Sequence, residues 1–370
     1  MQIIIVGAGP IGCYLGQLLT QAGFSITLLE EHSQIGFPQH CAGLVGASFF
    51  EDSRVPLPQT IVHKQLNSAA IEYGQHRFTL NRYAAAYLID RVALEQKLAQ
   101  GLSIQKSTQV TGLKRSGSDW SLLTSRGEFK SRIVIGADGA SSTIRRLAQF
   151  KLQPFYYHGV QFRIKKEIAN TNRVRVRFTK PFLDFCWAFS ENGEVLRVGS
   201  ISTQDARGKL LQFLQDTALT GPIIEQISGI IPVGYGQTSM DGIALVGDAA
   251  CQVKPLSGGG LYYGMRCAEI LADCLRTDNL SQYENRWKKK IGREIKQSLR
   301  IRNYLNKRTP AFLERLFMLA EKHKDMIEQS ALFEEHSVSF FQIARRVSIS
   351  LPGLYMGNSI RRIARNKRRT

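Results

Sequence analysis

The feature that most constrains this chain lies in its first dozen residues. "QIIIV" (2–6) is a short apolar run rich in β-branched residues, and Gly7-x-Gly9-x-x-Gly12 follows it at once. Such a run reads as a buried parallel strand. The glycines then open a helix. The first permits a tight turn, the second lets backbone approach a pyrophosphate, and the third lets the helix pack close to the strand with its N-terminus facing the anion. "SITLLEE" (25–31) supplies the next strand and completes a βαβ unit. Glu30 ends that strand 18 residues after Gly12, where a carboxylate accepts a ribose 2′-hydroxyl. A basic residue there would favour a 2′-phosphate, so the pattern points to FAD or NAD. Pro10 and Ile11 in the turn, and Glu31 beside Glu30, complete this first set of candidate cofactor contacts.

At 370 residues the chain can bury a full core, as two domains or as one with a large insertion. The 49 Lys and Arg against 30 Asp and Glu leave a net charge of +19, which favours polyanions, anionic lipid surfaces or phosphorylated ligands. The charge is uneven: six of the last ten residues are Lys or Arg, and "RWKKKIGREIKQSLRIRNYLNKR" forms a second basic stretch. No recognition motif accompanies this charge, so nucleic acid is not expected as a partner. Six cysteines occur without a CxxC pair or a His cluster, so neither zinc nor a disulfide framework is expected. A reducing compartment is the default. There is no leader pattern and no run of 18 apolar residues. The expectation is a cytoplasmic protein, peripherally associated with a membrane and monomeric.

Along the chain, "SAAIEYGQHRFTL" alternates as a hairpin and "AAAYLIDRVALEQKLAQG" (84–101) reads as a helix closed by glycine. "SLLTSRGEFKSRIVIGADG" reads as a hairpin leading into a buried strand. Residues 155–200 alternate strongly, as a meander of antiparallel strands in a separate sheet. Strand, turn and helix return at "GIALVGDAACQVKPLSGGGLYYGMRCAEILADCL", and the chain is helical and basic from 281. A nucleotide-binding fold is started, interrupted by sheet segments, and completed after residue 240.

Two further motifs lie at predicted strand ends. "VIGADGASSTIRR" (134–146) places Asp138-Gly139 at one, and "ALVGDAACQVKPLSGGG" (244–260) places Gly247-Asp248 at another. Taken alone, an Asp-Gly turn needs no ligand, and Asp248 could simply cap a helix. In order with the N-terminal glycines, these segments resemble the p-hydroxybenzoate-hydroxylase type of FAD-dependent oxidoreductase. That resemblance implies FAD. It implies that Asp248 bonds the ribityl chain, that Gly258, Gly259, Gly260 and Leu261 approach the flavin, that Arg91 contacts the phosphate-ribityl region and that Val110 lies against adenine. Without the resemblance, Arg91 reads equally well as a solvated helix arginine.

Three stretches are more narrowly similar to the geranylgeranyl reductase family: "IGFPQHCAGLV", "DFCWAFSENGEVLRVGS" and "VGDAACQVKPLSGGGLYYGM". Phe185 stands where that family usually has tyrosine, and Ser190 where it usually has proline. The implied fold is α/β, a Rossmann-like FAD-binding domain (1–60, 82–150 and 236–280) interleaved with an antiparallel-sheet substrate domain (61–81 and 151–235), then a basic helical region (281–370). The implied activity saturates C=C bonds of geranylgeranyl chains in isoprenoid lipids; the electron donor is left open between NAD(P)H and a ferredoxin-type redox partner. The alternative on the same scaffold is an aromatic or quinone monooxygenase, and a third reading is a non-catalytic FAD-bound docking protein.

An isoprenoid needs an apolar, aromatic pocket. Phe185, Trp187 and Phe189 alternate on one strand and so share a face, with Tyr156, Phe162 and Phe182 expected nearby. These aromatics could equally pack as ordinary core. Cys41 is the candidate catalytic residue: the resemblance carries its loop over the flavin, with Ala42 and Gly43 as bare backbone against the ring. The thiol could deliver a proton, tune the flavin or fill a small space.

Overall fold

A computed structural model describes residues 2–39, 41–179, 183–330, 333–335, 337 and 340. Phe182 and the basic C-terminal tail lie outside the described residues.

The first sheet is Rossmann-like. Its strands run in the order Ser239–Met240, Ile243–Leu245, Ile133–Gly136, Gln2–Val6, Ser25–Leu29, Ile104–Gln105. All neighbours are parallel except the edge pair Ser239–Met240 and Ile243–Leu245. Ile3, Ile4 and Ile5 are fully buried, as expected for a strand covered on both faces. On one face the helices Pro10–Gln21 and Leu261–Arg276 pack together. On the other lie Val110, Leu122, Ile144 and Phe150, partly from a small three-stranded sheet spanning residues 110–131.

The second sheet has eight strands, in the order Ile223–Val233, Phe155–Lys165, Val195–Ser202, Phe185–Ser190, Arg173–Phe178, Val62–Tyr73, His76–Ile89, Leu44–Val45. It is antiparallel except where Arg173–Phe178 meets Val62–Tyr73 in parallel. Helix Ala206–Asp216 covers one face through Phe162, Leu210 and Phe213. Helices Arg293–Leu305 and Pro310–Lys322 cover part of the other through Ile301, Leu305, Leu313 and Phe317.

The segment expected as one helix over 84–101 is two elements. The strand His76–Ile89 runs to Ile89, and the helix starts only at Arg91. Cross-strand pairing with Val62–Tyr73 extends that strand, and Asp90 then caps the helix by accepting from the Ala93 N–H at 2.9 Å. A polar N-cap in the middle of a mixed sequence is the signal for that break.

Candidate functional site

The parallel strands deliver the motifs to one edge. Gly7, Glu30, Asp138 and Asp248 all follow the C-terminal ends of neighbouring strands of the first sheet. Ligands bind at that edge of open α/β sheets. The glycine turn is built as its spacing implies. Gly7 adopts φ +99°, and a Cβ there would meet the Ala137 carbonyl oxygen at 2.5 Å. A Cβ on Gly12 would lie 2.0 Å from the Gly7 carbonyl oxygen, so the helix can sit on the turn only without a side chain. Gly12 therefore serves packing and does not line the cavity. Gly9 is the opposite case: its missing side chain faces open space in the cavity wall. Pro10 stands at the first helical position, and no side chain caps the helix end.

Glu30 is buried and committed to this turn. One carboxylate oxygen accepts from the Ala8 N–H at 2.8 Å, and the other accepts from the His32 N–H at 2.9 Å. It still lines the cavity, as do Ile11, Glu31 and Val110.

Asp138 and Asp248 are used differently. The Asp138 carboxylate accepts from Ser142 Oγ at 2.6 Å and from the Ile144 N–H at 2.9 Å, which ties down the helix Thr143–Leu147. Burial raises its pKa against those hydrogen bonds. The Asp248 carboxylate has no hydrogen-bond partner among the described residues, yet it lines the cavity. Burial raises its pKa too, opposed by Arg91 and Arg145. Arg145 was not evident from sequence. It donates to the Ala249 carbonyl at 2.8 Å and the Ala140 carbonyl at 2.7 Å, bolting the two strand-end loops together.

Arg91 is buried, lines the cavity and pairs with Glu95 at 2.6 Å. Burial disfavours its charge, but Cys41 and Glu95 hold its pKa above the usual value. Its Nε has no partner among the described residues. Cys41 is half-buried, lines the cavity and rests against this guanidinium. Ala42 also lines the cavity. Gly43 is not among the lining residues: a Cβ there would meet the Ile89 carbonyl oxygen at 2.6 Å, so its α-carbon packs against that strand.

Gly258, Gly259, Gly260 and Leu261 form the opposite wall. Lys254, also missed in the sequence, is buried among them and pairs with Glu334 at 2.9 Å. Burial lowers its pKa, and Glu334 works against that shift.

The cavity has a volume of about 1460 Å³ and continues from this cradle over the second sheet. Its floor consists of rows of residues paired across strands. One row runs Phe178, Phe185, Ile201, Gly159, Gly229, and the next runs Phe78, Ile71, Val176, Trp187, Gly199, Gln161, Ile227. Ile301, Leu305, Leu316, Phe317 and Ile327 roof it. Phe185 and Trp187 thus face the cavity. Phe189 shares their side of the strand but is buried in the sheet's core and does not line the cavity. Phe162 and Tyr156 do not join the pocket either. They alternate with the floor residues Gly159 and Gln161, so Phe162 packs on helix Ala206–Asp216 and Tyr156 bonds Arg145 at 3.1 Å.

Such a cradle fits a dinucleotide. It offers an open glycine turn at a helix N-terminus, an unpartnered carboxylate and an arginine with a free donor. Among the described residues there is no cluster that could hold a metal ion, and no helix is long and apolar enough to cross a membrane.

Comparison with known proteins agrees with this architecture. A family described as an NAD(P)-binding Rossmann-like domain matches residues 5–49. Digeranylgeranylglycerophospholipid reductase 2 of Methanothermobacter thermautotrophicus is 29% identical over 344 residues, covering 82% of this chain and 87% of that protein. An uncharacterized protein of Methanocaldococcus jannaschii is 27% identical, covering 89% of this chain and 93% of its own length. The crystal structure of a geranylgeranyl bacteriochlorophyll reductase-like protein of Thermoplasma acidophilum superposes with a TM-score of 0.79 at 16% identity, over 94% of this chain and 98% of that one. The chain is thus similar in sequence, over most of its length, to proteins named digeranylgeranylglycerophospholipid reductase, and similar in fold, over nearly all of it, to the Thermoplasma acidophilum protein.

Proposed function

We propose that this protein is an FAD-dependent reductase that saturates C=C bonds in geranylgeranyl chains of isoprenoid lipids. The observation that carries the reading is the continuity of the cavity. One space joins the glycine turn, Asp248 and the Gly258–Gly260 wall to an apolar floor of Phe178, Phe185, Ile201 and Val176. A cofactor edge and a long apolar chain would meet inside it. The reductases named among its relatives support the same reading.

Bound FAD, once reduced, supplies hydride, and the alkene needs a proton at its other carbon. The residues of the chain account for the rest. Gly9 and the helix N-terminus receive the pyrophosphate, while Glu30 and Asp248 accept hydroxyls of the ribose and of the ribityl chain. Arg91 holds the cofactor and polarises its neighbourhood. Cys41, against Arg91, moves the proton or fixes a water that does. The aromatic floor and helical roof exclude bulk water and align the chain. The basic surface suits an anionic membrane, from which a lipid could be drawn, at about 1 kcal/mol for each Lys or Arg near it.

The test is mass spectrometry of lipids from cells making geranylgeranyl lipids, with and without the protein. The expected result is a gain of two hydrogens per reduced bond, also without oxygen. Unchanged lipid masses under reducing conditions would sink the reading. Turnover that requires oxygen would favour the monooxygenase alternative.

A further inference from the structure

Two polar atoms in the cavity floor take no part in the chemistry above. Trp187 Nε1 and Gln161 Oε1 are buried without hydrogen-bond partners among the described residues. Both residues line the cavity, at 7% and 6% exposure. Gln161 has no other side-chain hydrogen bond there either, so its amide can present oxygen or nitrogen to a ligand.

The two are brought together by register. Trp187 pairs with Gly199, and Gly199 pairs with Gln161, so all three share one face of the sheet. Gly199 leaves the space between them. A Cβ there would lie 2.1 Å from Trp187 Cζ2 and 2.6 Å from Cε2, so the indole extends across the bare glycine towards the strand of Gln161. Everything else in the row is apolar: Phe78, Ile71, Val176 and Ile227.

The position of the row matters as much as its chemistry. On one side lies the row of Ile201, whose Cδ1 would be 3.3 Å from a Cβ on Gly258 in the cofactor wall. On the other lies Arg197, which donates to the carbonyl oxygen of Ala42 in the cysteine loop at 3.0 Å. The unpartnered pair therefore sits between the row against the cofactor wall and the row that holds the cysteine loop.

A hydrocarbon chain satisfies neither atom, and buried polar groups are normally paired. The row holds no cation to balance an anion, and Arg197 beside it is committed to Glu191 and Ala42. We propose that Trp187 and Gln161 form a polar subsite for a neutral oxygen, hydroxyl or carbonyl, carried by the isoprenoid ligand beside its reacting double bond. This rests on the isoprenoid reading and narrows it. The ligand carries oxygen inside the slot, and Gln161 and Trp187 select for it.

The test is equilibrium dialysis of the flavin-loaded protein with radiolabelled geranylgeraniol and, separately, with the matching hydrocarbon that has methyl in place of the hydroxymethyl group. Wild type should bind the alcohol about tenfold more tightly, the value of one good hydrogen bond. Gln161→Leu and Trp187→Phe, checked for unchanged flavin content, should each lose most of that preference by weakening the alcohol alone. Equal affinities in wild type, or a preference that survives both substitutions, would overturn the subsite and assign the two atoms to an ordered water, with the isoprenoid slot intact. Failure to bind either ligand would overturn the isoprenoid reading and this subsite together.

Discussion

Arg197 Nη1 donates to the Ala42 carbonyl oxygen across 3.0 Å, joining the floor of the second sheet to the loop that carries Cys41. Its Nε and Nη2 each donate to Glu191. The cysteine loop is thereby fixed by a side chain 155 residues away.

That bond predicts a change in thiol reactivity. The other five cysteines are buried, so one thiol, Cys41, should react rapidly with an aromatic disulfide reagent in the native protein. Arg197→Met should raise that rate severalfold by freeing the loop, and bound FAD should lower it. Two or more fast thiols in wild type would contradict the arrangement.

The glycines of the turn predict opposite behaviours. Gly9 has φ −70° and open space at its Cβ position, so Gly9→Ala should fold within about 0.5 kcal/mol of wild type but bind flavin at least tenfold more weakly. Gly12→Ala would drive a methyl into the Gly7 carbonyl and should cost about 1–3 kcal/mol of stability or more. Urea unfolding of the flavin-free protein and flavin titration separate the two effects.

These glycines also show how far the sequence could be read. A strand–glycine–helix pattern is local, and it gives the βαβ unit and the cofactor edge without knowledge of distant contacts. Alternation likewise places Phe185 and Trp187 on one face. It does not reveal that Phe189 is buried away from the cavity, or that Phe162 faces away, because both depend on which elements cover each face of the sheet. Asp138 and Asp248 look alike in sequence, each beside a glycine at a strand end. Only the structure separates a carboxylate engaged with Ser142 from one without a partner. Lys254 and Arg145 carried no spacing signal at all.

Asp248→Asn should leave the fold intact and weaken flavin binding by about 10- to 100-fold, the range for losing a hydrogen bond to a charged acceptor. Flavin retention on gel filtration checks this. Asp138→Asn, by contrast, should chiefly lower the melting temperature by loosening the helix Thr143–Leu147.

Cys41→Ala should retain bound FAD and lose alkene reduction by about 100-fold, the lower range for general acid catalysis. Full activity would make the thiol a space-filling residue.

Acid stability should depend on Glu72. Burial pushes its pKa up, but Arg175 and Arg177, at 2.7 and 2.9 Å, hold it below the usual carboxylate range. A depressed folded-state pKa contributes stability that is present above the unfolded-state value and lost as pH falls through the folded one. Glu72→Gln should therefore destabilise the protein at neutral pH and flatten the loss of stability below about pH 4.5. Chemical denaturation at several pH values measures it.

The first sheet has a further consequence, for biosynthesis. Gln2–Val6 pairs with Ile133–Gly136, and that strand pairs with Ile243–Leu245. During translation the glycine turn therefore leaves the ribosome long before the strand that carries Asp248 is made. At about 5–20 residues per second, that interval lasts on the order of ten seconds or more. Until that strand has emerged the nascent chain cannot present a finished dinucleotide cradle, so cofactor loading waits for it, and products truncated before residue 243 should emerge without flavin.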